Sequence, residues 1–296
     1  MKAIAPRVQR GLSLIELVVA IVVVGIIVAA VGFFVFPVRQ GVDIATRAEL
    51  TDVADNALQR MSRDVRRALP NSVRVDGTGQ YLEFLEVRTA GRYRGEGGGA
   101  SGGSDCSNND PVLGTPDNDQ LSFDTVADQC FKTIGKLPDV PVAGDFVVLN
   151  NHGAGFSGQD AYATVGTLNR ATISAVDTSE AGRDRIAFAS TTFQRDLHDS
   201  PGKRFYVVTG PVSYGCSGGM ISRFQGYPIA SAQGAPPGGT SAAIASNVVS
   251  CAFDYNPNVS PQIGLLTLRL TLAKARSDGT QERVSLYHAV HVSNIP

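Results

Sequence analysis

Few side chains in this sequence have the types and spacing to do chemistry, and Glu16 is the most conspicuous. It stands at the head of an uncharged run, Leu17 to Phe36, that follows Gly11. An ionised carboxylate in that setting costs on the order of a few kcal/mol in lipid, so it requires a partner or a task. Gly153, Gly155 and Gly158 satisfy Gly-x-Gly-x-x-Gly after a candidate strand, the spacing of a dinucleotide loop. The helix such a loop must open is missing, because Asp160 to Val165 is β-like, and the glycines read as an ordinary loop. Gly215-Cys216-Ser217-Gly218-Gly219 has the composition of a turn around a nucleophilic serine, but only His152, His198, His288 and His291 are on offer as a base. A disulfide-bearing turn explains it better. His288 and His291 fall three apart on a candidate strand, face opposite sides and make a poor metal pair. Asp117, Asn118 and Asp119, or Asp105 with Asp110, lack the spaced ligand set of a Ca²⁺ loop and read as solvated turns. These signals predict no enzyme, no metal and no cofactor.

The cysteines, Cys106, Cys130, Cys216 and Cys251, allow three pairings. No two have the Cys-x-x-Cys spacing of a zinc site, and no histidine lies at ligand spacing from one. Pairing in sequence order, Cys106 with Cys130 and Cys216 with Cys251, closes two moderate loops. Each closure stabilises by roughly 3 to 4 kcal/mol on a chain-entropy account. Disulfides require an oxidising compartment, and the N-terminus supplies a route to one. At about 1.5 Å per residue, Leu17 to Phe36 spans about 30 Å, the thickness of a bilayer's hydrocarbon core. Lys2, Arg7 and Arg10 precede it without an acidic residue among them, which keeps the leader cytoplasmic and exports the rest. A secretory signal would carry a small-residue cleavage site after its apolar core, whereas Gly11 comes before it.

Beyond the span, Pro37 and Gly41 should bend or loosen the helix. Apolar residues then recur at Ile44, Ala48, Leu50, Val53, Ala54, Ala57, Leu58, Met61, Val65, Ala68 and Leu69, one helical face, with a stop at Pro70 and Asn71. Arg47, Glu49, Asp52, Asp55, Arg63, Asp64 and Arg66 mostly cover the other side. Arg60, Arg63, Arg66 and Arg67 suit a helix C-terminus. Removal of Lys2, Arg7 and Arg10 from the 26 basic residues leaves 23 against 27 acidic ones, so nucleic acid is not an expected partner. From Ser72 the texture turns to short β-rich runs between turn residues, which predicts mainly antiparallel sheet. Candidate strands are 72–75, 81–87, 120–126, 145–149, 161–165, 171–176, 185–189, 205–209, 220–224, 248–255, 265–273 and 282–291. Asp278-Gly279 supplies a hairpin turn for the last two. Gly91 to Gly114 and Gln233 to Ser241 read as loops too poor in apolar residues to order themselves.

Gly11, Leu12, Ser13, Leu14, Ile15, Glu16 and Leu17, opening a long apolar helix, resemble the processing motif of type IV prepilins, with Leu12 where Phe is commonest and Ser13 for Thr. The resemblance implies that a prepilin peptidase cuts between Gly11 and Leu12 and methylates the new amino group of Leu12. It also implies that Glu16 neutralises the amino terminus of a neighbouring subunit. Arg66-Arg67-Ala68-Leu69-Pro70-Asn71-Ser72-Val73-Arg74-Val75 and the run from Gly264 to Pro296 further resemble the O-type minor pilins of the mannose-sensitive haemagglutinin pilus system. On these resemblances the chain divides into a leader (1–11), a membrane or filament-core helix (12–36), an amphipathic continuation (37–70) and a periplasmic β-rich domain (71–296). The expected fold is α+β, with the second half of the helix packed on an antiparallel sheet. The expected partners are other pilins and the inner-membrane assembly platform. A pseudopilin of type II secretion, J-like, uses the same helix and processing signal, and a membrane-anchored periplasmic enzyme or binding module is the alternative of another class.

Overall fold

The computed structural model describes residues 13–94, 120, 121, 123, 128–260, 262–276 and 278–296. One long helix, α1 (Leu14–Val65), precedes every strand. The strands follow as β1 (Arg74–Val75), β2 (Tyr81–Arg92), β3 (Asp128–Lys132), β4 (Phe146–Leu149), β5 (Arg170–Asp177) and β6 (Arg185–Thr191). After a single turn of helix, α2 (Arg195–His198), come β7 (Arg204–Ser217), β8 (Met220–Gln225), β9 (Thr240–Ala245), β10 (Val248–Ser260), β11 (Ile263–Ala275) and β12 (Gln281–Ser293). The arrangement is α+β, and the strands named here pair antiparallel throughout.

The long β7 organises the larger sheet. It pairs with β2 along one side; its other side takes β4 in its first half and β8 in its second, so the sheet forks into β4-β5-β6-β3 and β8-β9. The smaller sheet is a meander, β10-β11-β12. Alternation in β11 explains its position: Leu266, Leu268, Leu270 and Leu272 are buried, whereas Arg269 between them is exposed. Asp278 closes the β11–β12 turn by accepting hydrogen bonds from the Thr280 backbone and hydroxyl, with Gly279 at φ +83°.

The helix joins both sheets in one core. Leu50, Ala54, Ala57, Leu58, Met61 and Val65 pack with the β11 leucines, with Val284, Val290 and Val292 of β12, and with Leu82, Phe84, Val212 and Tyr214 of β2 and β7. A second core, largely aromatic, gathers Tyr93, Phe123, Phe131, Phe188, Phe193 and Phe205 around the β3–β6 branch. Phe131 meets Phe205 edge-on at 5.0 Å, a favoured aromatic geometry.

The helix continues beyond the span, through Pro37 and Gly41, as expected. Several other expectations need correcting. Its packed stripe starts at Leu50, and Ile44 is 70% exposed because it lies short of the sheets. The helix stops at Val65 rather than at Pro70. Its last turn tightens through Arg67 N–H to Asp64 O (2.9 Å) and Ala68 N–H to Val65 O (3.0 Å), and the chain then pairs with β2 through Leu69 N–H to Leu85 O (2.8 Å). Residues 161–165 are not a strand: the chain turns at 160–163, where the Asp160 side chain accepts from Tyr162 N–H (2.9 Å) and its carbonyl from Ala163 N–H (3.0 Å). Of 120–126, residues 122 and 124–126 lie outside the described ones, and the Phe123 backbone forms an isolated bridge with Phe193. Strands β3 and β9 were not anticipated; β9 begins inside the expected 233–241 loop.

Candidate assembly site

Two features of α1 define the site: an apolar half that is not buried in the protein, and an exit clamped to the sheets. Leu14–Phe33 has a mean hydropathy of 3.1 with none of it buried inside the protein. Side chains on every side of it face outward, among them Leu14, Ile15, Val19, Ile21, Val24, Ile26 and Val28. Twenty such residues cover about 30 Å. An all-round apolar helix without a covering surface is stable only in lipid or among other apolar helices. Glu16 sits in its first turn and is exposed. A carboxylate there is favoured by the unpaired N–H groups and positive end of the helix dipole. Ser13 stands at the N-cap in extended conformation without a side-chain cap, and its carbonyl accepts from Leu17 N–H at 3.1 Å. Gly11 and Leu12 lie outside the described residues.

At the other end, Asp64 faces the sheets rather than solvent. It accepts from the Tyr214 hydroxyl (2.6 Å) and from Arg223 Nε (2.9 Å), and Arg223 also donates to Glu86 (3.1 Å). Arg67 stands 3.6 Å from the same Glu86. Burial, and then the hydrogen bond to Asp64, push the Tyr214 phenol well above the ordinary tyrosine range, so it remains a donor. Arg47 meets Glu282 of β12 at 3.3 Å, and Glu49 meets Lys274 of β11 at 2.8 Å. These charges fix the rotation of α1 over the strands. Sequence reasoning missed them; the one signal was Asp64 among arginines, and its partners lie 150 and 159 residues away.

A second layer of polar contacts ties the helix exit to the rest. Asn71, at φ +60°, donates to the carbonyls of Asn151 (2.8 Å) and Asn294 (3.1 Å). Asn151 donates back to Pro70 O at 2.7 Å. Gly153 belongs to this junction: at φ +84°, a Cβ there would lie 2.5 Å from the Asn71 carbonyl, so no larger residue fits. Its neighbours Gly155 and Gly158 also have positive φ, in a loop without a following helix. Arg74 donates from Nε and Nη2 to one oxygen, Oε1, of the buried Glu83, donates to the carbonyls of Ala230 and Ser231, and stacks 3.7 Å from the Tyr162 ring centroid. Arg74 and Tyr162, with Asn71, His152, Asp160 and Tyr255, line a cleft of about 640 Å³. The Tyr162 hydroxyl donates to Ser72 O at 3.0 Å. Arg74, Tyr162 and Tyr255, whose hydroxyl donates to Asn294 at 3.1 Å, are thus occupied in holding segments of the cleft together.

Cys216 at the end of β7 is bonded to Cys251 of β10, which staples the two sheets together. Cys130 is also in a disulfide, and Cys106 lies outside the described residues. Ser217 ends β7 beside Gly218 and Gly219, both at positive φ, as a two-residue hairpin turn requires. His288 lies on the inward-facing side of β12 and His291 on the exposed one. His198 is buried, with Nε2 2.7 Å from Gly158 O and Nδ1 accepting from Gln194 N–H at 3.0 Å. Asp105, Asp110, Asp117, Asn118 and Asp119 lie outside the described residues, and the described ones hold no His/Cys/Asp/Glu group able to take a metal.

The prokaryotic N-terminal methylation motif matches residues 6–32, which span Gly11, Leu12, Glu16 and most of the uncovered helix. That motif supports a type IV prepilin-like protein. Motif and apolar helix together support a membrane-anchored, single-pass protein that is processed by prepilin peptidase and assembles with other pilins or pseudopilins. No curated protein and no solved structure matches the chain.

Proposed function

We propose that the chain is a minor type IV pilin of the mannose-sensitive haemagglutinin kind, acting by assembly in the priming or tip complex of a pilus. The single observation that carries the assembly role is the uncovered apolar half of α1 attached to a methylation motif. Before assembly that surface is covered by the inner membrane, with the β domain in the periplasm; in the filament it is covered by neighbouring helices. Glu16 is the docking register. In a low-dielectric bundle it attracts the methylated amino group of an adjacent Leu12, which offsets part of the cost of burying both. The β domain is a rigid head on that helix.

The minor-pilin assignment rests on the two stretches that resemble O-type minor pilins. They meet in the fold, since Asn71 of the first donates to the Asn294 carbonyl of the second. Shearing and collecting surface filaments, then quantifying this chain against the most abundant subunit, tests the proposal. A trace constituent of filaments, whose deletion reduces their number, is the expected result. A chain absent from filaments but required for export of a folded protein would assign it to type II secretion instead.

A further inference from the structure

Strand β12 is a long free edge of the smaller sheet. It pairs with β11 without a bulge, from Gln281 opposite Ala275 to Ser293 opposite Ile263, and with no other described strand. The phase of the pairing is fixed at both ends: Arg276 N–H donates to Thr280 O (2.8 Å) at the turn, and Asn294 N–H donates to Gln262 O (2.9 Å) at the other end. Even-numbered residues of β12 therefore bond to β11, and the N–H and C=O groups of the odd-numbered ones, Gln281 to Ser293, point away from it. Those outward groups make no hydrogen bond among the described residues. The far side of β10 is occupied by contrast: Phe253 N–H donates to Gly79 O (2.8 Å), and Cys251 is bonded to Cys216. Exposed edges are normally blunted by Pro, Lys or a bulge, and β12 has none of these over 13 residues, about 40 Å of strand. At its middle, Tyr287 is 62% exposed between the small residues Ser285 and Ala289 of the same outward row.

The edge also stands beside the helix that assembles. Arg47 meets Glu282 at the membrane-proximal end of β12, and Asn71, past the helix exit, donates to the Asn294 carbonyl at the other end, so β12 and α1 run the same way. We propose that this edge receives an extended strand from a neighbouring pilin subunit of a different kind, which joins the two β domains by backbone hydrogen bonds with Tyr287 as a side-chain anchor. Geometry argues against a second copy as the occupant. Antiparallel pairing of two β12 edges would set their α1 helices antiparallel, which two chains inserted from the same side of a membrane cannot adopt. Parallel pairing of the same two edges would put the helices on opposite faces of the joined sheet, where they cannot share a bundle. A second copy pairing through another of its edges, such as β9, would propagate, contrary to the trace role proposed above. The inference rests on that assembly role for the neighbour and adds how the domains join.

The test uses the full-length chain in cells that assemble the filament, with a photoreactive side chain introduced in turn at Ser285, Tyr287 and Ala289 and the cross-linked peptides identified by mass spectrometry. All three positions should link to one other subunit that carries a prepilin motif, at sites stepping by two residues along a single segment. Ala289→Pro removes one outward N–H and no bond to β11, a change an edge strand accommodates. It should lower the cross-link from position 285 about tenfold, the worth of roughly one hydrogen bond, and leave the urea midpoint of the purified chain in place. Should the proline variant lose stability, the three-position scan decides alone. Cross-links only between copies of this chain, links without the two-residue step, or none from a chain that does enter filaments would overturn the proposal. Links in the predicted step to a subunit of a secretion pseudopilus would uphold it and overturn the pilus assignment alone.

Discussion

Replacing Asp64 with alanine tests how α1 is held to the sheets. The carboxylate accepts from a buried phenol at 2.6 Å and from Arg223 Nε at 2.9 Å, and its own side chain is 20% exposed against 12% for Arg223. Its removal leaves the Tyr214 hydroxyl without that acceptor and Arg223 with Glu86 as its remaining carboxylate. A hydrogen bond to a charged group is worth about 1.5 to 3 kcal/mol, and an orphaned buried donor adds to the loss. The expected cost is therefore about 3 kcal/mol, below the 3 to 5 of a fully buried pair because water still reaches the cluster. Tyr214→Phe removes one donor and orphans nothing that Arg223 does not still satisfy, so about 1 kcal/mol is expected. Urea unfolding of the full-length protein in detergent, followed by circular dichroism, measures both, and the double variant should show coupling of about 1 kcal/mol. An Asp64→Ala protein within about 0.5 kcal/mol of wild type, the range of ordinary surface changes, would refute the clamp.

Glu16→Val should leave membrane insertion and processing intact while reducing recovery of the chain in filaments; wild-type recovery would remove the pairing role from Glu16. Replacing Cys216 and Cys251 by serine should cost about 3 to 4 kcal/mol, from the 35-residue separation they close, and an unchanged urea midpoint would show the staple to be dispensable. Burial foremost raises the phenols of Tyr93, Tyr162, Tyr206, Tyr214, Tyr227 and Tyr255 above the ordinary value of 10.0. The folded chain thus keeps protons that the unfolded chain releases above pH 10, so the stability they contribute is complete below pH 10 and declines as pH rises beyond it. A urea midpoint equal at pH 9 and pH 11 would contradict this.

How much could be read beforehand follows from how local each determinant is. The span, Glu16 and the face from Leu50 to Val65 are periodic patterns within one helix, and so are the alternating leucines of β11; such patterns need no tertiary information. The helix stop was misplaced because the exit is set by pairing with β2, a partner more than a dozen residues away, and not by Pro70. The turn at 160–163 hid behind β-like residues because a single Asp160 side chain decided it. Strand β9, Thr-Ser-Ala-Ala-Ile-Ala, has small and mostly exposed residues, and exists because β8 offers an edge to pair with. The charge network around Asp64, Arg223 and Glu86 joins three distant segments, and residue type alone does not say which aspartate turns inward.

Mass spectrometry of the amino terminus of the membrane-purified chain tests the central claim most directly. The account predicts a mature protein that begins at an N-methylated Leu12, with Gly11→Val protein retained uncut. A chain that still begins at Met1, or one that begins after Ala30, would contradict it.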